Sequence, residues 1–470
     1  MTTTLIPVRA ERALKRVPRS ASSWILFGTV AAGGLNYLYS LSMAALLKPS
    51  DYSVFAGGQA ITLITGTVAN TSVPWLLARE ISRAAEGKAA RGIVWFAAVL
   101  NVIVGLAAGA VTIALSAGFA DLQEAAWLAA ATLGFFLAST GMGWAQGHQR
   151  FRLLAVLIVA EVAIKAAVGL GVVALGAGPA GAFGAALVGA LVITLAMLRP
   201  MWRELAPTRA ALASRRLWRA AAGMGAVQAA VALISVIDVL FITLRFGPTH
   251  VVAGYQLAAT LTRAPLFLAL ALATAAFPQL ARRPGDRAVL SAHTQHVVAI
   301  LLPLLAVTAT LPGSILKSVL PAGYDSAIGF LPLTATLSTA YGLVVLQTTV
   351  FRADGRAREC VMILTGACLT SLVCMAVGSL FGVYGLVAGA LLGALCAVCA
   401  LAIQTERRWR GAQRLDVRPL LAWPAVAVVL VFARQAPWLW VALASVVALQ
   451  IVRSALNAPD RAVPVGALEQ

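Results

Sequence analysis

Apolar runs of about 20 residues or more recur from Ser22 almost to the C-terminus, broken by short polar segments. A run of that length crosses a hydrocarbon core of roughly 30 Å as a single helix. The pattern predicts fourteen spans, near residues 22–47, 53–78, 92–117, 125–145, 153–175, 179–198, 217–244, 251–280, 289–316, 326–351, 359–381, 384–404, 419–433 and 437–452. The first run is too long for the apolar core of a signal peptide and leads directly into the second, so it reads as a retained helix.

One stretch of the pattern returns. Gly178 to Leu191 reads GPAGAFGAALVGAL, and 204 residues later Gly382 to Leu395 reads GVYGLVAGALLGAL, with seven of fourteen positions identical. Small residues fall every fourth position, at Gly181, Ala185 and Gly189 and again at Gly385, Gly389 and Gly393. That spacing puts them on one helix face, where a neighbouring helix approaches closely. Weaker echoes are Pro49-Ser50 with Pro248-Thr249 and Pro74 with Pro278. The two long copies are the sixth and the twelfth span, so the chain reads as a six-span unit repeated in parallel, with two further spans appended.

Composition agrees with a polytopic membrane protein: 60% of the 470 residues are hydrophobic and 11% charged. The net charge of +19 would suit nucleic acid in a soluble chain, but here its placement decides. Of 36 basic residues, 30 fall at one set of alternate loops and the termini: Arg9, Arg12, Lys15, Arg16 and Arg19; Arg79 to Arg91; Arg150 and Arg152; Arg199 to Arg219; Arg282, Arg283 and Arg287; Arg352 to Arg358; Arg407, Arg408, Arg410, Arg414 and Arg418; Arg453 and Arg461. The opposite loops hold Lys48, Arg245, Lys317 and Arg434, and only Lys165 and Arg263 lie inside spans. Cytoplasmic loops collect Lys and Arg, so both termini are expected in the cytoplasm and no nucleic-acid partner is expected. Tryptophans 24, 95, 127, 144 and 423 stand at span edges, as interfacial anchors do.

The expected organisation is a cytoplasmic N-terminal segment (1–21), an N-lobe of spans 1–6 (22–198), a cytoplasmic linker (199–216), a C-lobe of spans 7–12 (217–404), a basic loop (405–418), spans 13–14 (419–452) and a cytoplasmic tail (453–470). The fold class is an all-α polytopic membrane protein: two pseudo-symmetric six-helix bundles plus two C-terminal helices, about fourteen in all.

Leu46 to Phe55, LLKPSDYSVF, resembles the turn after the first span of the polysaccharide-transporter family, with Ser53 in place of the family's usual glycine. Ala78-Arg79-Glu80 after span 2, Gln146-Gly147-His148-Gln149-Arg150-Phe151 after span 4 and Ala353-Asp354-Gly355-Arg356 after span 10 are similar to further motifs of that family. The resemblance covers spans 1 to 12. It implies a lipid-linked oligosaccharide flippase of the multidrug/oligosaccharidyl-lipid/polysaccharide exporter superfamily, two bundles around a central cavity that opens alternately to each side. The implied partners are a polyprenyl-pyrophosphate-linked glycan, membrane lipids and the glycosyltransferases or polymerase of the same pathway, in a bacterial plasma membrane. No cofactor is implied.

Four ionisable residues fall deep in spans: Glu161 and Lys165 in span 5, Asp238 in span 7 and Arg263 in span 8. At about 1.5 Å per residue, Lys165 and Arg263 each lie roughly 19 Å from their span ends, one in each half. Insertion of Lys, Arg or Asp at a helix centre costs about 2.5 to 3.5 kcal/mol, so such residues face protein or a watery cavity. One reading has the two cations meeting a lipid pyrophosphate; the other has Glu161 neutralising Lys165 one turn away and Asp238 neutralising Arg263. Pro265 loosens the helix beside Arg263 and frees carbonyls there. Asn36, Gln59, Asn70, Gln228 and Gln256 are candidates for sugar hydrogen bonds or for bonds between helices.

Two other functions fit parts of the pattern. In a cation-coupled multidrug exporter of the same superfamily, Glu161 and Asp238 would carry protons or sodium. A polyprenyl-sugar glycosyltransferase or ligase would need acids in the outer loops, where only Asp51, Asp121, Glu124 and Asp325 stand. The sequence carries no Walker loop or nucleophile constellation. The five cysteines all follow residue 359, and Cys396 and Cys399, inside an apolar helix without a histidine nearby, are expected to pack rather than bind metal.

Overall fold

The computed structural model describes residues 19–83, 88–282, 286–320, 323–354, 356–409 and 417–456. Arg9, Arg12, Lys15, Arg16, Arg283, Gly355, Arg410, Arg414 and Arg461 lie outside the described residues.

The chain is helical, with no strand among the described residues. The first six spans are single helices: α1 Arg19–Leu46, α2 Pro49–Arg83, α3 Lys88–Ser116, α4 Leu122–Gly147, α5 Phe151–Ala174 and α6 Gly178–Met201. A short helix, α7 Arg209–Leu212, lies in the linker. The seventh and eighth spans are each broken in two, into α8 Arg215–Ile234 and α9 Ile237–Phe246, then α10 His250–Leu261 and α11 Ala264–Arg282. The ninth is α12 Arg287–Ala309 followed by the short α13 Gly313–Val319. Then come α14 Ala327–Ala353, α15 Ala357–Gly378, α16 Gly382–Arg408, α17 Val417–Ala433 and α18 Pro437–Leu456. Eleven helical stretches of the described residues are long and apolar enough to cross a membrane. One of them, 358–408, takes in both α15 and α16, which leaves α1 and the shorter α17 to complete fourteen.

The two bundles use the same pairings. In the N-lobe α1 packs on α5, α2 and α3 on α4, α4 on α6, and α5 on α6. In the C-lobe the counterparts at the same ordinal positions are α8 on α15, α10, α11 and α12 on α14, α14 on α16, and α15 on α16. The repeated small-residue faces are closed by the preceding helix of each lobe. A Cβ on Gly189 would lie 2.9 Å from the Glu161 carbonyl oxygen of α5, and one on Gly393 would overlap Ser371 of α15. Backbones at that distance leave room for hydrogen alone, which is why both copies of the stretch keep glycine there.

Two loop motifs also prove to be one turn used twice. After α4 the Arg150 N–H donates to the Ala145 carbonyl at 2.8 Å, and after α14 the Arg356 N–H donates to the Phe351 carbonyl at 3.0 Å. The first copy sets Gln149 at φ 55, in the left-handed region; the sequence of the second has Gly355 in that register.

The lobes meet where α2 packs on α8, α9 and α10, and where α1 packs on α10 and α11. At the end of the molecule far from the linker the core is continuous across both lobes and includes Tyr52, Phe55 and Phe183 of one with Tyr255 and Phe330 of the other. Two loops bolt this far end. Tyr324, between α13 and α14, donates its hydroxyl hydrogen to the Leu47 carbonyl at 3.4 Å and meets the Tyr52 ring edge-on at 5.7 Å. Phe119, between α3 and α4, sits with Thr243 of α9 against Gly57, where a Cβ would come within 3.1 Å of Phe119 and 3.0 Å of Thr243. The two aromatics occupy matching places, in Ala117-Gly118-Phe119 and Ala322-Gly323-Tyr324, 205 residues apart.

At the linker end α8 packs on α2, with Leu217 and Ala221 in the N-lobe core. Glu80 of α2 accepts from Arg216 of α8 at 2.7 Å, and the Arg352 guanidinium of α14 stands 5.1 Å from the centre of the Trp75 ring. Helices α17 and α18 brace α12 of the C-lobe: the Trp440 indole N–H donates to Thr310 at 3.1 Å, and Arg434 donates to the Leu311 carbonyl at 3.3 Å.

Two sequence expectations are corrected. Trp144 is buried, not interfacial: the loop after α4 folds back, so that the His148 ring lies tilted against it with centres 4.6 Å apart and Arg150 stands 4.8 Å from its centre. Cys396 and Cys399 are exposed on the outer face of α16, because that helix turns its small-residue face, two to three residues away, to the protein.

Candidate functional site: a polar seam along α1

In the N-lobe, Lys165 projects from α5 toward α1, where its ammonium donates to the Asn36 side-chain oxygen and stands 5.2 Å from the centre of the Tyr39 ring. Glu161 lies one turn earlier on α5, yet no ion pair within 4.0 Å forms between the two among the described residues. The pairing considered from sequence therefore gives way to a lysine held by an amide and a ring face. Gln59 of α2 donates to Ser40 of α1 at 2.8 Å, and Ser40 donates to the Asn36 carbonyl at 2.9 Å. The Tyr39 hydroxyl is buried without a partner.

In the C-lobe the site is built on the two helix breaks. The break at Ser235 and Val236 places Asp238 in the first turn of α9, where the helix dipole favours a negative charge. Asp238 is 3% exposed, and its carboxylate accepts from the hydroxyls of Tyr255 and, at 3.4 Å, Tyr341. The break at Thr262 and Arg263 follows from Pro265, which has no N–H for the Leu261 carbonyl four residues back. The side chain of Arg263, half-buried on this broken turn, makes no hydrogen bond or ion pair with another described residue. Asp238 thus has two tyrosines and not the guanidinium as its bonded partners.

Ser235, Asp238, Arg263, Thr334, Ser338 and Tyr341 line one small pocket, in which the Ser338 hydroxyl is buried without a partner. Three further sequence candidates stand elsewhere. Gln256 is buried in the far-end packing, where its amide donates to Thr243 at 2.8 Å and to the Ser53 carbonyl at 3.2 Å. Asn70 is exposed on α2, and Gln228 is buried in α8.

The two cations belong to opposite lobes, and neighbouring residues of α1 touch Lys165 and the turn that precedes Arg263. Asn36 faces Lys165, and its neighbour Tyr37 donates to the Leu261 carbonyl at 3.3 Å, two residues before Arg263. Chemically the arrangement offers two cationic side chains, one in each lobe, that no carboxylate of the described residues meets within ion-pair distance. The sequence reading missed Tyr37, Tyr52, Tyr255 and Tyr341. The signal for Tyr37 was present: a carbonyl freed by Pro265 needs a donor from a neighbouring helix.

The acids of the far-end loops have structural partners. Asp121 and Glu124 form a capping box at the start of α4, Asp325 pairs with Lys317 at 3.2 Å, and Asp51 stands in the first turn of α2. No group of three His, Cys, Asp or Glu residues able to hold a metal occurs among the described residues.

Two pseudo-symmetric six-helix lobes of apolar, span-length helices define a multi-pass membrane protein. Residues 20–283 match the model of the polysaccharide biosynthesis protein family, more than half of the chain. The protein belongs to that family and to the multidrug/oligosaccharidyl-lipid/polysaccharide exporter superfamily. Among solved structures, it is similar to the lipid II flippase MurJ in an inward closed conformation, with a TM-score of 0.71 at 11% identity over 91% of this chain and 98% of that one. It is similar also to a multidrug resistance MATE family transporter in an inward-facing conformation, with a TM-score of 0.63 at 14% identity over 81% and 95%. A third is a superfamily transporter from Pyrococcus furiosus, with a TM-score of 0.59 at 15% identity over 84% and 97%. No curated protein sequence matches the chain. The family and the fold point to a transporter rather than a catalyst.

Proposed function

We propose that the protein is a flippase that carries a polyprenyl-pyrophosphate-linked oligosaccharide across the bacterial cytoplasmic membrane by alternating access, for assembly of a cell-surface polysaccharide. The observation that carries this reading is that neighbouring residues of α1 hold Lys165 of one lobe and, in the other lobe, the Leu261 carbonyl two residues before Arg263. A pyrophosphate crossing a medium that resists charge needs cations met from both lobes, because the lobes must part on either side of it. The family's role in polysaccharide biosynthesis supports a glycan cargo.

In this reading the basic linker end and both termini face the cytoplasm. The far end, bolted by Tyr324 and Phe119, is then the outer side, held shut. Lys165, Arg263, Asn36 and Gln59 serve the headgroup and first sugars. Depletion followed by analysis of lipid-linked sugars tests the proposal. Accumulation of a completed polyprenyl-linked repeat unit in the cytoplasmic leaflet supports it; normal surface glycan overturns it.

A second reading, a cation-coupled multidrug exporter, is favoured by one observation: the carboxylate of Asp238 beside the unpartnered Ser338 hydroxyl in a single pocket. It predicts sensitivity to cationic drugs on depletion, with surface glycan unchanged.

A further inference from the structure

The last turn of α10 carries Arg263 just beyond its end, and two grips on that turn come from the other lobe. Tyr37 of α1 donates to the Leu261 carbonyl at 3.3 Å, the oxygen that Pro265 leaves without a helical donor. One residue earlier, the Tyr52 hydroxyl of α2 lies 3.3 Å from the Thr260 hydroxyl oxygen. Thr260 spends its own hydrogen on the Gln256 carbonyl at 2.9 Å, so in this contact Tyr52 is the donor. Consecutive residues of the C-lobe are thus held by two hydroxyls of the N-lobe. Tyr52 is fully buried and wedged by the rings of Phe55 and Tyr324, which fixes the direction of its hydroxyl.

The Arg263 guanidinium makes no hydrogen bond or ion pair with another described residue, so it is aimed by the backbone that bears it. That backbone is a helix break, with one hydrogen bond missing at Pro265 and therefore easily re-set. We infer that Tyr37 and Tyr52 are positioning residues: they hold the broken turn of α10 against the N-lobe so that Arg263 faces the pyrophosphate while the far end is closed. When the lobes part at the far end both grips are lost, the turn is freed, and the hold on the anion weakens on the side where it must be released. This inference rests on the flippase reading and adds to it a coupling between access and affinity.

The test measures binding of undecaprenyl pyrophosphate, without sugar, to the purified full-length protein in lipid nanodiscs. Tyr37→Phe and Tyr52→Phe each keep the ring and remove the donor, and each is expected to weaken binding by about three- to tenfold, the worth of one hydrogen bond. In an Arg263→Ala background the same changes are expected to have no effect, because the residue they aim is gone. A loosening that is merely structural would lower affinity by the same factor in both backgrounds, and that result overturns the inference. So does wild-type affinity in both phenylalanine variants. Thr260→Val removes the Tyr52 contact from the other side at nearly constant shape and must reproduce the Tyr52→Phe loss if the contact is responsible. If Arg263→Ala alone binds as tightly as the wild type, the flippase site is wrong and the inference falls with it. If Arg263→Ala binds weakly and the tyrosine variants do not, the inference alone fails.

Discussion

Asn36 and Tyr37 are neighbours on one helix and hold opposite lobes: the Asn36 side chain takes the Lys165 ammonium of α5, and the Tyr37 hydroxyl takes the Leu261 carbonyl next to the break that bears Arg263. Adjacent helical residues point about 100° apart, so this one turn of α1 meets Lys165 and the turn before Arg263 on different faces. Any motion of α1 relative to α10 alters the spacing of the two charges.

The cations are expected to act as charges facing water. In a cysteine-free background, cysteines at positions 165 and 263 should react with a small aqueous thiol reagent in at least one state of access. Absence of labelling in both states would remove them from the cavity. Arg263→Ala should reduce transport about tenfold or more, the loss of a hydrogen bond to a charged group, and Arg263→Lys should retain part of it if charge suffices.

The close-packed glycines predict a sharp contrast within one helix pair. Gly393→Leu must push α15 away and Gly189→Leu must push α5 and with it Lys165, each at about 1 to 3 kcal/mol or more. Gly171 of α5 has nothing within 4 Å of where a Cβ would stand, and Gly171→Ala should be neutral or stabilising. Melting temperature and folding yield in detergent check both.

Gln149 gives a further stability test. It sits in the left-handed region at the end of α4, where glycine avoids a cost of about 1 kcal/mol. Gln149→Gly should therefore raise the melting temperature slightly, and a fall would show that the Gln149 side chain contributes more than the turn strain costs.

At the far end, Phe119→Ala and Tyr324→Ala each remove one of the two aromatic bolts between the lobes. Both should increase the reactivity of a cysteine placed at the buried position 256 toward an impermeant reagent, and the double variant should do so more strongly. Unchanged reactivity in all three would mean that the continuous core of that end closes it without the loops.

Much of this architecture was legible in the chain. Span-length apolar runs fix the helices, and the 204-residue echo fixes which helices correspond, since a small-residue face has to meet a neighbour and the neighbour is the preceding span in each lobe. The break near Arg263 was legible through Pro265. The break at Ser235 and Val236 was not, because neither glycine nor proline marks it; α8 follows the N-lobe, with Leu217 and Ala221 in that lobe's core, while α9 follows the other. The partners of Asp238 were hidden for a similar reason. Tyr255 and Tyr341 lie 17 and 103 residues from it, and only the packing of α9, α10 and α14 brings the three together. Trp144 misled because a tryptophan at a span edge carries the same sequence signal whether the loop beyond it opens to lipid or folds back over the ring.

The central claim is that this chain moves a pyrophosphate-linked glycan between leaflets, and the most direct measurement is transport in proteoliposomes. Purified protein is reconstituted with a labelled undecaprenyl-pyrophosphate oligosaccharide distributed over both leaflets, and an impermeant enzyme that cleaves the label is added outside. The account predicts that cleavage proceeds beyond the outer-leaflet half toward completion with wild-type protein, and stops near half with Arg263→Ala and in protein-free vesicles. Cleavage that stops near half with the folded wild-type protein, under every ion gradient imposed, would contradict it.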